Sequence, residues 1–171
     1  MKSHFHASAA AGFALALFGL ASVALAADGK PSSDNSVARG KYLVQVAGCN
    51  DCHTPGFAMS GGKVPESEWL TGDALGWQGP WGTTYAANLR LYMKDKTEAQ
   101  WLAAARSFQS LPPMPFWSIT GMTEADRKAI YRYVKSLPVK GEPAPPYLPP
   151  GTPAKGPVIT FPAPPAKPPG K

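Results

Sequence analysis

Cys49, Cys52 and His53 fall within five consecutive residues, Cys49-Asn50-Asp51-Cys52-His53, and are the side chains of this sequence best suited to chemistry. Two thiols separated by two residues reach the two vinyl groups on adjacent edges of one porphyrin, and the next residue lifts an imidazole under the iron. The pattern is C-x-x-C-H, the signature of covalent haem attachment. A thioredoxin-type redox pair is the first rival, but it requires a strand before the cysteines and a helix after them. Here the periodicity predicts an amphipathic helix before the pair, and Thr54-Pro55-Gly56 follows it. A structural zinc is the second rival and requires four ligands.

Those four ligands are not available if the chain is exported. Residues 1–26 read as a secretory signal, with Lys2 as the positive start, an apolar run from about Ala9 to Leu25, and an A-x-A cleavage site at Ala24-Leu25-Ala26. The expectation is a periplasmic protein. The alternative is an uncleaved membrane anchor, because the run approaches the roughly 20 residues a spanning helix needs. Cleavage removes His4 and His6 and leaves His53 as the one histidine beside Cys49 and Cys52. So close a cysteine pair would close too small a loop to staple a fold of this size, which points to a chemical role.

With His53 on one side of the iron, no second histidine remains for the other side. The choices are a methionine, an unusual ligand such as lysine, or an open site. Met59 lies only six residues past His53 and is expected to pack in the core or in a loop. Met93 stands in a charged segment and is expected to be half exposed; Met122 directly precedes the cap Thr123 and is expected to pack on the last helix. Met114 differs, because Pro112-Pro113-Met114-Pro115 fixes it in a stiff extended strap where little entropy is left to lose on binding. Met114 is therefore the expected second axial ligand.

Four segments position these groups: the signal 1–26, a polar lead 27–35, a mixed region 36–137, and a tail 138–171 with 13 prolines in 34 residues. Only the third has the patterning of a folded domain. One helix is expected from about Ser36, as its cap, to Ala47. A second starts at Thr97, which with Gln100 forms a capping-box pattern, and carries Trp101, Ala105 and Phe108 on one face. A third starts at Thr123 and carries Ile130, Tyr133, Val134 and Leu137 before Pro138 ends it. The Gly- and Pro-rich connections between them are far longer than usual and need something to wrap around; a haem would serve. The tail has no apolar periodicity and is expected to be extended, as a spacer or as a strap laid over the domain or a partner, anchored by Tyr147, Leu148, Val158 and Phe161.

The formal charge is +6 and falls to +5 with Lys2 removed. It is split between the domain and the tail rather than gathered in a stripe, which argues against nucleic-acid binding.

From Val37 to Leu137 the chain resembles class I monohaem cytochromes c, particularly bacterial domains associated with dehydrogenases. The likeness rests on Arg39-Gly40-Lys41-Tyr42-Leu43 ahead of the C-x-x-C-H, on Gly79-Pro80-Trp81-Gly82-Thr83-Thr84-Tyr85-Ala86-Ala87-Asn88-Leu89, and on Met114-Pro115 followed by Met122-Thr123-Glu124-Ala125-Asp126 and Tyr133. The resemblance implies an all-α domain wrapped around one covalent haem, with the first and last helices crossing at Gly40. It implies that Met114 is the axial ligand opposite His53, and that Trp81, Tyr85 and Asn88 line the haem edge. Arg90-Leu91-Tyr92 departs from the family's usual Thr-Pro-Asp at that point.

The function expected is single-electron transfer with redox protein partners such as a dehydrogenase or a terminal oxidase, without a substrate of its own. The domain would meet a membrane only through a partner complex or an uncleaved anchor. Two other readings stay open: a haem enzyme or small-ligand sensor with an open distal site, and a fixed cytochrome subunit of a dehydrogenase complex.

Overall fold

A computed structural model describes residues 33–162. The expected signal and most of the polar lead lie outside the described residues. Six helices follow in order: α1 (Ser33–Val46), α2 (Cys49–His53), α3 (Leu89–Lys94), α4 (Glu98–Arg106), α5 (Phe116–Gly121) and α6 (Glu124–Ser136). Among the described residues no helix is long and apolar enough to cross a membrane.

The domain is built on α1 packed against α6. Leu43 and Val44 of α1 meet Ala129, Ile130, Tyr133 and Val134 of α6 in one buried cluster. Gly40 sits where the two backbones come closest, since a Cβ there would lie 2.0 Å from the Ala129 carbonyl oxygen and 2.7 Å from Tyr133 Cβ. A side chain is thus excluded by backbone, which cannot step aside. α1 begins at Ser33, three residues ahead of the expected cap, so Ser36 lies inside the helix and its Oγ accepts from Arg132 on α6.

The two later helices start where their caps predict. Thr97 Oγ1 accepts from Gln100 N at 3.2 Å while Gln100 Oε1 accepts from Thr97 N at 2.8 Å, the reciprocal capping box. Thr123 Oγ1 accepts from Asp126 N at 3.1 Å and opens α6, and Leu137 ahead of Pro138 turns extended and closes it.

The domain is mostly helical, as expected, and a small sheet holds one wall. β1 (Gly76–Gly79) and β2 (Gly82–Tyr85) form a hairpin, and β3 (Val158–Thr160), from the tail, pairs parallel to β1. The spacer reading of the tail gives way to the strap reading. Prolines remove donors, yet those that remain are placed to use the hairpin's free edges. Leu148 exchanges two bonds with Thr83 at 2.8 and 3.0 Å, and Phe161 N donates to Gln78 O at 2.7 Å. At Gly82, with φ +98°, a Cβ would stand 2.2 Å from the Leu148 carbonyl oxygen, so the tail's approach requires glycine there. Phe161 packs against Trp77 and Trp81 at centroid distances of 6.0 and 5.5 Å, and Tyr147 Oη donates to the Trp81 carbonyl.

Arg90 knits these parts together from inside. It is buried, and its guanidinium donates to the carbonyls of Glu66, Ser67, Trp69 and Pro138. One charge-assisted fork thus holds the loop after the cysteines to the start of the tail.

Candidate haem site

α2 is a single short helix whose five residues are the C-x-x-C-H run itself. Cys49 and Cys52 are one turn apart and face one cavity, and His53 joins them there. The turn is anchored from below. Thr54 Oγ1 donates to Asn50 Oδ1 at 2.8 Å and accepts from Leu70 N at 2.8 Å, both groups being fully buried, while Gly72 N donates to the His53 carbonyl.

His53 Nδ1 lies 2.7 Å from the Ala87 carbonyl oxygen. A carbonyl only accepts, so the proton is on Nδ1 and Nε2 keeps a free lone pair. Burial holds the imidazole below its ordinary pKa, against the opposing pull of that hydrogen bond, and this favours the neutral form a metal requires. The two thiols are unpaired. Burial pushes Cys49 up to about 11, with Asp51 adding to the rise, and burial raises Cys52 as well. Such thiols are protonated at neutral pH, the opposite of the lowered values that make a thioredoxin-type pair reactive.

The cavity, about 240 Å³, is walled by all six helices, the hairpin and the segment leading into α5. Its wall is predominantly apolar and, apart from His53, carries no ionisable group other than the two thiols and the phenols of Tyr85 and Tyr92. Met114 lines it, held in the proline strap that Thr84 Oγ1 ties to β2 by donating to the Pro112 carbonyl at 2.8 Å. Met93 and Met122 line it too, and Met93 is fully buried rather than half exposed because α3 turns it into the core. Met59, expected to pack, stands in solvent instead.

Of the three expected haem-edge residues, Tyr85 lines the cavity and the other two do not. Trp81 turns away at the hairpin tip, where its Nε1 donates to the Trp77 carbonyl and its ring meets Phe161. Asn88 is buried as the cap of α3, accepting from Leu91 N, and its Nδ2 donates to the carbonyls of Lys140 and Glu142 in the tail. Trp77 takes the place expected of Trp81. Strand alternation would have separated Trp77 from its hairpin neighbours, but only once β1 was recognised as a strand.

The residues present fit a haem: two thiols and a tautomer-fixed imidazole share one turn beneath an apolar cavity lined by all six helices and the hairpin. The family model of cytochrome c matches residues 37–138. This chain belongs to the cytochrome c family. The cytochrome therefore carries haem c attached covalently through Cys49 and Cys52, and it is an electron-transfer protein. Bound haem supplies reversible one-electron chemistry at its iron.

Two curated proteins resemble the cytochrome, the cytochrome c subunits of quinone alcohol dehydrogenases from Gluconacetobacter polyoxogenes and Komagataeibacter europaeus. Each is 30% identical over 135 residues, covering 68% of this chain and 26% of the relative. The chain thus spans about a quarter of their length. No solved structure matches it.

Proposed function

We propose that this cytochrome c is an exported electron carrier, not itself a catalyst of substrate turnover, whose haem iron is held between His53 and Met114. The observation that carries the reading is the shared cavity, with His53 locked as the Nδ1–H tautomer on one part of its wall and Met114 strapped to β2 through Thr84 on another. A soft thioether opposite imidazole stabilises ferrous iron and raises the potential, as suits a carrier. The signal-like residues 1–26 support export to the periplasm. The relatives' names support a dehydrogenase as a redox partner; a further redox protein such as a terminal oxidase would take the other side of the exchange.

Carbon monoxide tests the carrier reading against an open site. The ferrous cytochrome is expected to show no change in its spectrum on addition of the gas, and prompt formation of an adduct would favour the enzyme or sensor. Because the relatives are subunits, a fixed place in a dehydrogenase complex is the second reading. It predicts that the native protein elutes at the size of the complex, whereas a free carrier elutes alone.

A further inference from the structure

Among the described residues two arginines are buried, and Arg90 joins the loop after the cysteines to the tail. Arg127, on α6, is 8% exposed and takes part in none of the six ion pairs of the described residues. Burying a guanidinium without a carboxylate is costly unless oxygen acceptors replace its water. Those acceptors are carbonyls of the last turn of α5. Arg127 Nη1 donates to the Ile119 carbonyl at 3.3 Å and to the Thr120 carbonyl at 3.1 Å. The Arg127 carbonyl in turn accepts from Trp101 Nε1 at 2.8 Å, which fixes this turn of α6 against α4.

α5 depends on support of this kind. It has six residues, too few to hold a helix alone, and its N-cap Pro115 offers no side-chain bond. A cation at its C-terminal end satisfies carbonyls that lack helical partners and complements the helix dipole. The helix continues directly from the proline strap, for Phe116 N donates to the Met114 carbonyl and Ser118 N to the Pro115 carbonyl, both at 2.9 Å. At the other end of the strap Thr84 Oγ1 holds the Pro112 carbonyl. Met114 is thus suspended between two anchors, one on β2 and one, through α5, on Arg127. Ser118 and Ile119 of α5 line the cavity, as does Ile130 one turn past Arg127, whereas Arg127 itself stands behind the wall.

Resting on the Met114 ligation proposed above, we infer that Arg127 is a positioning residue for the axial methionine: by clamping the end of α5 it holds the Met114 thioether on the iron against competing ligands. Its effect passes through the backbone of α5 and Pro115. A competing ligand binds only the fraction of molecules in which the sulfur has left, so its apparent affinity measures how firmly the strap is held.

Imidazole titrated into the ferric holoprotein reads that fraction, through loss of the far-red thioether band. Arg127→Met keeps the length and removes the donors, and is expected to raise imidazole affinity about tenfold, as loss of one charge-assisted hydrogen bond would. Arg127→Lys keeps the charge and a donor but not the planar fork; it is expected to raise the affinity about threefold, and it decides the matter if Arg127→Met does not fold. Arg132→Gln, which breaks the exposed pair with Glu98 on the same helix, is expected to change it less than about twofold. Folded Arg127 variants with the wild-type affinity, or an Arg132→Gln that raises it as much as they do, would overturn the inference and leave Met114 ligation standing. A wild type without the band, or a band that survives Met114→Ala, overturns the ligation itself.

Discussion

Gly40 and Ala129 bring α1 and α6 to backbone contact, with room for a hydrogen but not for a methyl group between the Gly40 Cα and the Ala129 carbonyl. This crossing sets the position of everything downstream, because α1 ends three residues before Cys49 and α6 supplies Ile130 to the cavity wall. Gly40→Ala is expected to force the helices apart and cost about 2–3 kcal/mol, the range for overpacking against an unyielding neighbour. A thermal melt followed by circular dichroism would then fall by roughly 10 °C. A midpoint within about 2 °C of the wild type would mean that the crossing is slack.

The tail is expected to stabilise the domain. Truncation after Leu137 removes the Pro138 acceptor from Arg90, the Lys140 and Glu142 acceptors from Asn88, and the strand partner of β1. Hydrogen bonds of this kind contribute about 1 kcal/mol each, so the thermal midpoint should drop by on the order of 10 °C or more. Phe161→Ala should reproduce a smaller part of the loss by freeing Trp77 and Trp81. An unchanged midpoint in both would show that the strap contributes nothing to the fold.

Glu66 makes stability depend on pH. Its carboxylate accepts from Lys41 Nζ at 2.5 Å and from Tyr133 Oη at 2.9 Å, and these bonds hold its pKa below the ordinary carboxylate value against a partial desolvation. A lowered folded-state pKa means that the contribution is fully present above the unfolded value and is lost as pH falls through the folded one. Because the pair is more than a third exposed, solvent limits the effect to about 1 kcal/mol or less. Glu66→Gln should therefore flatten part of the stability loss below about pH 4.5 and lower stability slightly at pH 7. A variant whose acid unfolding superimposes on the wild type would show that Glu66 does not contribute to the pH dependence.

Thr84 is expected to act through Met114. Thr84→Val keeps the volume and removes the hydroxyl that donates to the Pro112 carbonyl, so the strap should loosen. A thioether on ferric haem gives a weak far-red charge-transfer band, and in this variant the band should vanish at a temperature below that of global unfolding. Thr84→Ser, which keeps the donor, should behave as the wild type. A purely structural role would move the unfolding midpoint and leave the band tied to it.

The site and the main helices were legible because their signals are local. The C-x-x-C-H run and the caps at Thr97 and Thr123 each lie within a few residues, as does the apolar stripe of α6. What was missed is held by long-range partners. β1 finds β3 some eighty residues on, and Arg90 takes its acceptors from positions 66 to 138. Pairing at such distances has no period to read. The family pattern places Asn88 and Trp81 at the haem edge, and in this chain the tail occupies both. The Arg90 departure from that pattern was the available clue, since it marks where the tail docks.

Met114 is proposed to bind the iron opposite His53, although Met93 and Met122 also line the cavity. The far-red band tests it directly: it should be present in the wild type, abolished by Met114→Ala together with a fall in reduction potential, and retained by Met59→Ala, Met93→Ala and Met122→Ala. A band that survives Met114→Ala but disappears in Met93→Ala or Met122→Ala, or one absent from the wild type, would contradict it.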